Sequence, residues 1–332
     1  MAPVTRFTEM VGTTWPIIQA GMSWASSSPA LPLAVSNAGG LGVLAAGPMR
    51  HGELQAAIRA IKEGTDRPWA VNVPLYRKEI GPVLDILEAE RPPVIIASQG
   101  GPKAHLPRFR DIGAKWLHVT AFVEHAKKAA DAGVDGIVVV GTEAGGHPPA
   151  NEVSTLVTVR RVLQEVDCPV IAGGGVADGY GIAALLALGA DAVQLGTRFL
   201  MTEEASVHAA YKQCLLETEI DGTELIGRGG LPVRGVRNRF ADRVAEAERS
   251  QLADRDPDAW KLLLASATLK DAALDGDIDG GKVEAGQSVG LIRDLPPARE
   301  VFDRLVEEMQ QAIGRVAPLA RQDQELRKAS NA

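Results

Sequence analysis

The sequence predicts an α/β chain closed into a (β/α)8 barrel, the TIM-barrel architecture, with a mainly helical insertion or subdomain after the eighth strand. Three observations predict it. Eight short apolar runs recur within residues 1–200. Each is continuous rather than alternating, as a parallel strand covered on both faces should be. Longer helix-like segments separate the runs, so that one strand–helix unit recurs roughly every 20–30 residues, and such alternation points to a barrel ahead of an open doubly wound sheet.

The expected strands are residues 16–20, 42–46, 69–73, 94–97, 116–119, 136–140, 170–172 and 192–195. Helices are expected between them at 51–63, 124–132, 151–164 and 179–190. Gly133 and Gly189 sit where helices stop, and Asp178 stands as an N-cap. After the eighth strand the pattern changes, and 201–281 reads as a charged, mainly helical subdomain or lid. Residues 282–320 return to the barrel and close it with an amphipathic helix, and 321–332 form a polar tail.

The chain has 332 residues, 45% of them apolar, which is enough for one large core with insertions. Its net charge of -7 lacks the basic footprint of a nucleic-acid binder. Cys168 and Cys214 have no CxxC or metal-type spacing, and no HExxH or clustered His/Cys set occurs, so no metal is expected. The N-terminus lacks an apolar signal region and no run approaches a membrane span. A cytoplasmic protein acting on a small molecule is the expectation.

In such a barrel, chemistry sits at the C-terminal ends of the strands. Polar and glycine residues collect there: Ala20-Gly21-Met22, Asn72, Ser98-Gln99, His118, Gly141 to His147, Gly173-Gly174-Gly175 and Gly196-Thr197-Arg198. Glycines after strands seven and eight mark the recurrent phosphate site of this architecture, because backbone N–H groups can approach an anion closely. His147 ends a glycine run and precedes Pro148-Pro149. A neutral imidazole there suits proton abstraction from carbon. His118 lies within a strand and reads as a core or cofactor contact, whereas His51, His105, His125 and His208 read as solvated.

Two motifs mislead. Gly40-Leu41-Gly42-Val43-Leu44-Ala45 matches a dinucleotide fingerprint but runs into a strand instead of opening a helix. Gly286-Gln287-Ser288-Val289-Gly290 matches a nucleophile elbow without a strand before it or a helix after it.

PIIQAGM (16–22), SNAGGLGVLAAG (36–47), WAVNVP (69–74), GTEAGGHPP (141–149), the stretch 169–200 and EAGQSVGLI (284–292) together resemble the nitronate monooxygenase family. That family overlaps with FMN-dependent enoyl-ACP reductases and NAD(P)H:quinone reductases. The resemblance implies an FMN-loaded barrel that oxidises alkyl nitronates with O2 to a carbonyl compound and nitrite. The alternative it implies is an NAD(P)H-dependent reductase of an enoyl, quinone or acyl-CoA substrate. By position, Ala20, Gly21 and Met22 would lie against the isoalloxazine and Asn72 at its polar edge, with Gln99 and His118 nearby. Gly145 and Gly146 would flank the flavin, Gly173, Gly174, Gly196 and Thr197 would hold the phosphate, and Gln287 would return to the cofactor. His147 matches the catalytic histidine. The resemblance admits a homodimer. Pro148-Pro149-Ala150-Asn151 departs from the usual pattern after that histidine. Arg228, Arg234, Arg237 and Arg239 form a basic stretch that would suit a CoA or nucleotide phosphate.

Overall fold

The computed structural model describes residues 2–76 and 80–330, with side chains as far as residue 318. Up to the eighth strand the elements are α1 (Arg6–Val11), β1 (Ile17–Gln19), α2 (Ala30–Ala38), β2 (Gly42–Ala45), α3 (His51–Gly64), β3 (Trp69–Pro74), α4 (Ile80–Glu90), β4 (Val94–Ser98), α5 (Leu106–Asp111), β5 (Lys115–Thr120), α6 (Val123–Ala132), β6 (Gly136–Val140), α7 (Thr155–Val162), β7 (Val170–Gly173), α8 (Gly179–Leu188) and β8 (Ala192–Leu195). There follow α9 (Thr197–Leu200), α10 (Ala209–Leu216), β9 (Thr223–Ile226), β10 (Val233–Val236), α11 (Arg239–Arg249), α12 (Leu252–Arg255), α13 (Pro257–Ala265), α14 (Leu269–Ala273), a 3-10 turn (Gln287–Leu291) and α15 (Ala298–Ser330).

All eight expected strands form one parallel sheet in the order β1-β8-β7-β6-β5-β4-β3-β2. The ring closes between β1 and β2 on a narrow seam, a parallel bridge of Ile18 with Leu41. There the Gln19 N–H donates to the Leu41 carbonyl at 3.0 Å and the Leu41 N–H to the Ile17 carbonyl at 2.9 Å. The fully buried Gln19 amide extends this seam. Its Nε2 donates to the Val43 carbonyl at 3.1 Å and its Oε1 accepts from the Val43 N–H at 2.9 Å, as a strand backbone would.

Alternation along the strands divides the core in two. Ile18, Val43, Ala70, Ile96, Leu117, Val138 and Ile171 fill the barrel, and Phe7 of α1 belongs to the same cluster. The N-terminal helix therefore plugs the interior, a role its short sequence does not announce. Ile17, Leu44, Val71, Ile95, Ile137 and Val193 face the helices instead. Against α8, helix α15 comes so close that a Cβ on Gly179 would lie 2.2 Å from the Met309 nitrogen.

The segment after β8 is mainly helical, as expected, but it also contains an antiparallel hairpin, β9–β10. Its strands have four residues each around a Gly-Arg-Gly-Gly-Leu-Pro turn, too short for a period-2 pattern to stand out. Ile226 of the hairpin packs with Phe240, Val244 and Trp260 in a small core of its own. The helix expected over 151–164 begins only at Thr155, where Ser154 caps it. The closing helix continues to Ser330, through most of the expected tail.

Candidate active site

A cavity of about 1380 Å³ opens at the C-terminal ends of the strands. Of the residues expected to touch the cofactor or to act as base, all line it except Gln287. Gln287 instead ties the returning chain to the loop after β6, its N–H donating to the Glu143 carbonyl at 2.9 Å. Its neighbours Gly286 and Ser288 reach the cavity.

At one end stand the glycines of β7 and β8. Gly174 and Gly175 have φ of 107° and 76°, a left-handed conformation that glycine adopts freely. Among the described residues, their N–H groups have no acceptor. A Cβ on Gly173 or Gly196 would meet its neighbours at 3.6 Å or farther, ordinary van der Waals contact, and the bare backbone of both lines the cavity. Thr197 Oγ1 accepts from the Gly286 N–H at 3.0 Å and keeps its own proton to donate. These groups form a cradle for an anion. Arg198 is not part of it: buried, it pairs with Asp294 at 2.9 Å and bonds the Met201 carbonyl.

The opposite wall is narrow and polar. A Cβ on Gly21 would lie 2.3 Å from the Asn72 Cβ, so only glycine fits beside that side chain. Asn72 Nδ2 donates to the Ile96 carbonyl at 3.0 Å. Gln99 holds a φ of 54° and Trp24 a φ of 68°, two left-handed non-glycine residues at the cavity wall. Such backbone strain tends to gather at functional sites. His118 is buried, its Nδ1 without a protein partner. Burial depresses its pKa to about 4 against an opposing hydrogen bond to the Gly100 backbone, so the ring is neutral.

His147 ends the loop after β6. The glycine run is not a free loop. Gly146 exchanges backbone bonds with Arg234 of β10 at 3.1 and 2.7 Å. A Cβ on Gly145 would lie 2.6 Å from the Gly286 nitrogen. Glu143 accepts from the Thr155 N–H and hydroxyl, both at 2.8 Å. The His147 ring is accessible across the cavity, yet protein surrounds it. Burial first, then the charge of Lys282, holds its pKa below the usual histidine value.

The basic stretch is spoken for. Arg234 is buried and donates to the Thr142 carbonyl at 2.8 Å. Arg228 pairs with Glu152, Arg237 with Glu224 and Arg239 with Asp279. Of the histidines expected to be solvated, His105 departs from that picture, half-buried and stacked on Trp116, whereas His125 is exposed at the cavity rim. Sequence reasoning missed Trp24, Tyr211, Lys270 and Glu284, which also line it, and gave Glu143 no role of its own. Glu143 and Glu284 were legible only as neighbours of GGH and AGQ. Among the described residues, no group of three or more His, Cys, Asp or Glu side chains is placed to hold a metal ion, and no helix is long and apolar enough to cross a membrane.

A family model described as nitronate monooxygenase matches residues 4–308. A nitronate monooxygenase from Pseudomonas aeruginosa is 34% identical over 92% of this chain and 99% of its own. A Mycobacterium tuberculosis protein named (3aS,4S,5R,7aS)-5-hydroxy-7a-methyl-1-oxo-octahydro-1H-indene-4-carboxyl-CoA dehydrogenase is 32% identical over 91% of this chain and 95% of its own. Among solved structures, FabK from Thermotoga maritima superposes with a TM-score of 0.88 at 34% identity, covering 96% of this chain and 99% of that one.

Proposed function

The chain belongs to the nitronate monooxygenase family of oxidoreductases, and from that premise we propose that its cavity holds FMN and oxidises alkyl nitronates with O2 to a carbonyl compound and nitrite. The observation that carries the proposal is the pairing of an anion cradle at β7–β8 with a neutral histidine across one cavity. The residues fit the cofactor. The free N–H groups of Gly174 and Gly175, the bare backbone of Gly173 and Gly196 and the Thr197 hydroxyl suit its phosphate. Ala20, Gly21 and Met22 offer a wall of small and apolar groups for its ring, and Asn72, Gln99 and the unpartnered His118 Nδ1 offer polar contacts at the edge. Gly145 and Gly146 complete the enclosure on the His147 side. When bound, FMN supplies the electron acceptance and the reaction with oxygen that no side chain here provides.

The protein's own contribution is position and proton handling. His147 is neutral at pH 7, so an imidazole nitrogen can take the α-proton of a neutral nitroalkane and hold it while the nitronate remains in the cavity. The loop that carries it is pinned by Arg234 and Gly286, which fixes the base relative to the cradle.

One observation favours a second reading. Ligand pockets commonly measure about 300–1,000 Å³, and this cavity is larger, at about 1380 Å³. Room beyond a cofactor and a small nitronate suits an NAD(P)H-dependent reductase or dehydrogenase acting on an enoyl, quinone or acyl-CoA substrate, and the M. tuberculosis relative is named a carboxyl-CoA dehydrogenase. Anaerobic absorbance scans separate the two. Bleaching of the flavin bands by propyl-2-nitronate alone is the expected result. Fast bleaching by NADH or NADPH would move the assignment to the reductase. No flavin spectrum after incubation with FMN would overturn both.

A further inference from the structure

Between α14 and the 3-10 turn, the chain passes the cavity as a short irregular segment. Glu284 in this segment pairs with Gly235 of β10 through its backbone, and its carbonyl accepts from the Tyr211 hydroxyl at 2.8 Å. The backbone is thus fixed and the side chain is free of it. That side chain lines the cavity. A Cβ on Gly146 would lie 3.1 Å from Glu284 Oε2, so the carboxyl rests against the residue that precedes His147. Among the described residues, it has no hydrogen-bond or ion-pair partner. The mechanism above makes no use of it.

A carboxyl set in a cavity wall without a partner is costly as an anion and cheap as a neutral acid. We propose that Glu284 is a second substrate-contacting residue of this site, its carboxylic O–H donating a hydrogen bond to an oxygen of an anionic substrate beside His147. The inference rests on the reading that the cavity takes a nitronate or a similar oxyanion. The proton stays on Glu284 throughout. Donor and base then occupy one wall: one group holds the substrate oxygen, the other handles the carbon-bound proton.

The electrostatics agree. Burial pushes the Glu284 pKa up to about 7, against the pull of Lys282. Lys282 itself lies half-buried over the Phe240 ring at 5.6 Å. From the surrounding elements come Glu143 and His147 on the loop after β6, Arg234 on β10 and Tyr211 on α10. Lys270 and Asp271 lie on α14. Glu143 is held by Thr155, and Arg234 by the Thr142 carbonyl. Tyr211 is pushed well above the usual tyrosine value, and His147 below the usual histidine value.

The test uses inorganic nitrate, a planar oxyanion, titrated calorimetrically into FMN-loaded enzyme between pH 5.5 and 8.5. Wild-type affinity is expected to fall by about tenfold per pH unit above pH ~7, as the donor ionises. Glu284→Gln keeps a donor and cannot ionise, so its affinity should stay flat over that range. Glu284→Ala should bind nitrate at least about tenfold more weakly at pH 6. A Glu284→Gln profile that falls as the wild type does would overturn the proposal, as would a folded Glu284→Ala protein with wild-type affinity. Should the alanine variant not fold, the wild-type and glutamine profiles decide. Wild-type turnover of propyl-2-nitronate is measured alongside. An inactive wild type with the expected nitrate profile sinks the nitronate reading and leaves Glu284 in place. An active wild type with pH-independent nitrate binding sinks only Glu284.

Discussion

The base proposed at His147 must be unprotonated before it can work, and the surroundings of that residue favour the neutral ring. Because burial and Lys282 lower its pKa, the neutral imidazole is already the main form at pH 6.5 and persists at every higher pH. The kcat/KM for neutral 2-nitropropane should therefore rise through a pKa below 6.5 and level off. Replacing His147 with Ala should lower that parameter roughly 10²–10⁴-fold, leave FMN bound, and spare turnover of pre-formed nitronate, whose proton is already gone. A variant equal to wild type on the neutral substrate would remove the role. His147 was legible in the sequence because a glycine run before it and two prolines after it set it apart. Glu284 was not, because nothing local distinguishes a lone glutamate. Its character arises from Tyr211, Gly235 and Gly146, residues far from it along the chain.

The strands were readable because both of their faces are buried, which forces continuous apolar runs. The β9–β10 hairpin escaped because its pairing depends on Gly146 and Glu284 as neighbours as much as on its own residues. The seam between β1 and β2 is a further case in which a side chain serves as an element. Gln19 stands in for ladder bonds by satisfying both the N–H and the carbonyl of Val43. Gln19→Ala leaves both groups buried and unpaired, and should cost about 2–4 kcal/mol. Urea denaturation reads that loss as a lower midpoint, and hydrogen exchange should show the Val43 amide losing protection before those of β5 and β6. Uniform protection across the barrel in this variant would show that the seam is held by other means.

For the molecule as a whole, the C-terminal ends of the strands carry the cavity while α1 fills the barrel interior, so the N-terminal helix serves stability and not chemistry. Removing its fully buried ring by Phe7→Ala should destabilise the protein by about 3–5 kcal/mol, with the KM for nitronate unchanged at temperatures where the variant is folded. A large rise in KM with little loss of stability would contradict that division. The barrel as a class was legible because the strand–helix unit repeats. The plug and the seam were not, because both depend on residues meeting only once the ring has closed. That closure has a consequence in time. Ile17 of β1 pairs with Val193 of β8, so one side of the first strand has no partner until nearly the whole barrel has been synthesised. At translation rates of about 5–20 residues per second, the wait is on the order of 10 s. Throughout it, β1 is an apolar ribbon with an open edge, emerging from the ribosome as bait for any other unpaired strand. The nascent chain should therefore depend on a holding chaperone until β8 emerges, and release from it should coincide with capture of the first strand by the last.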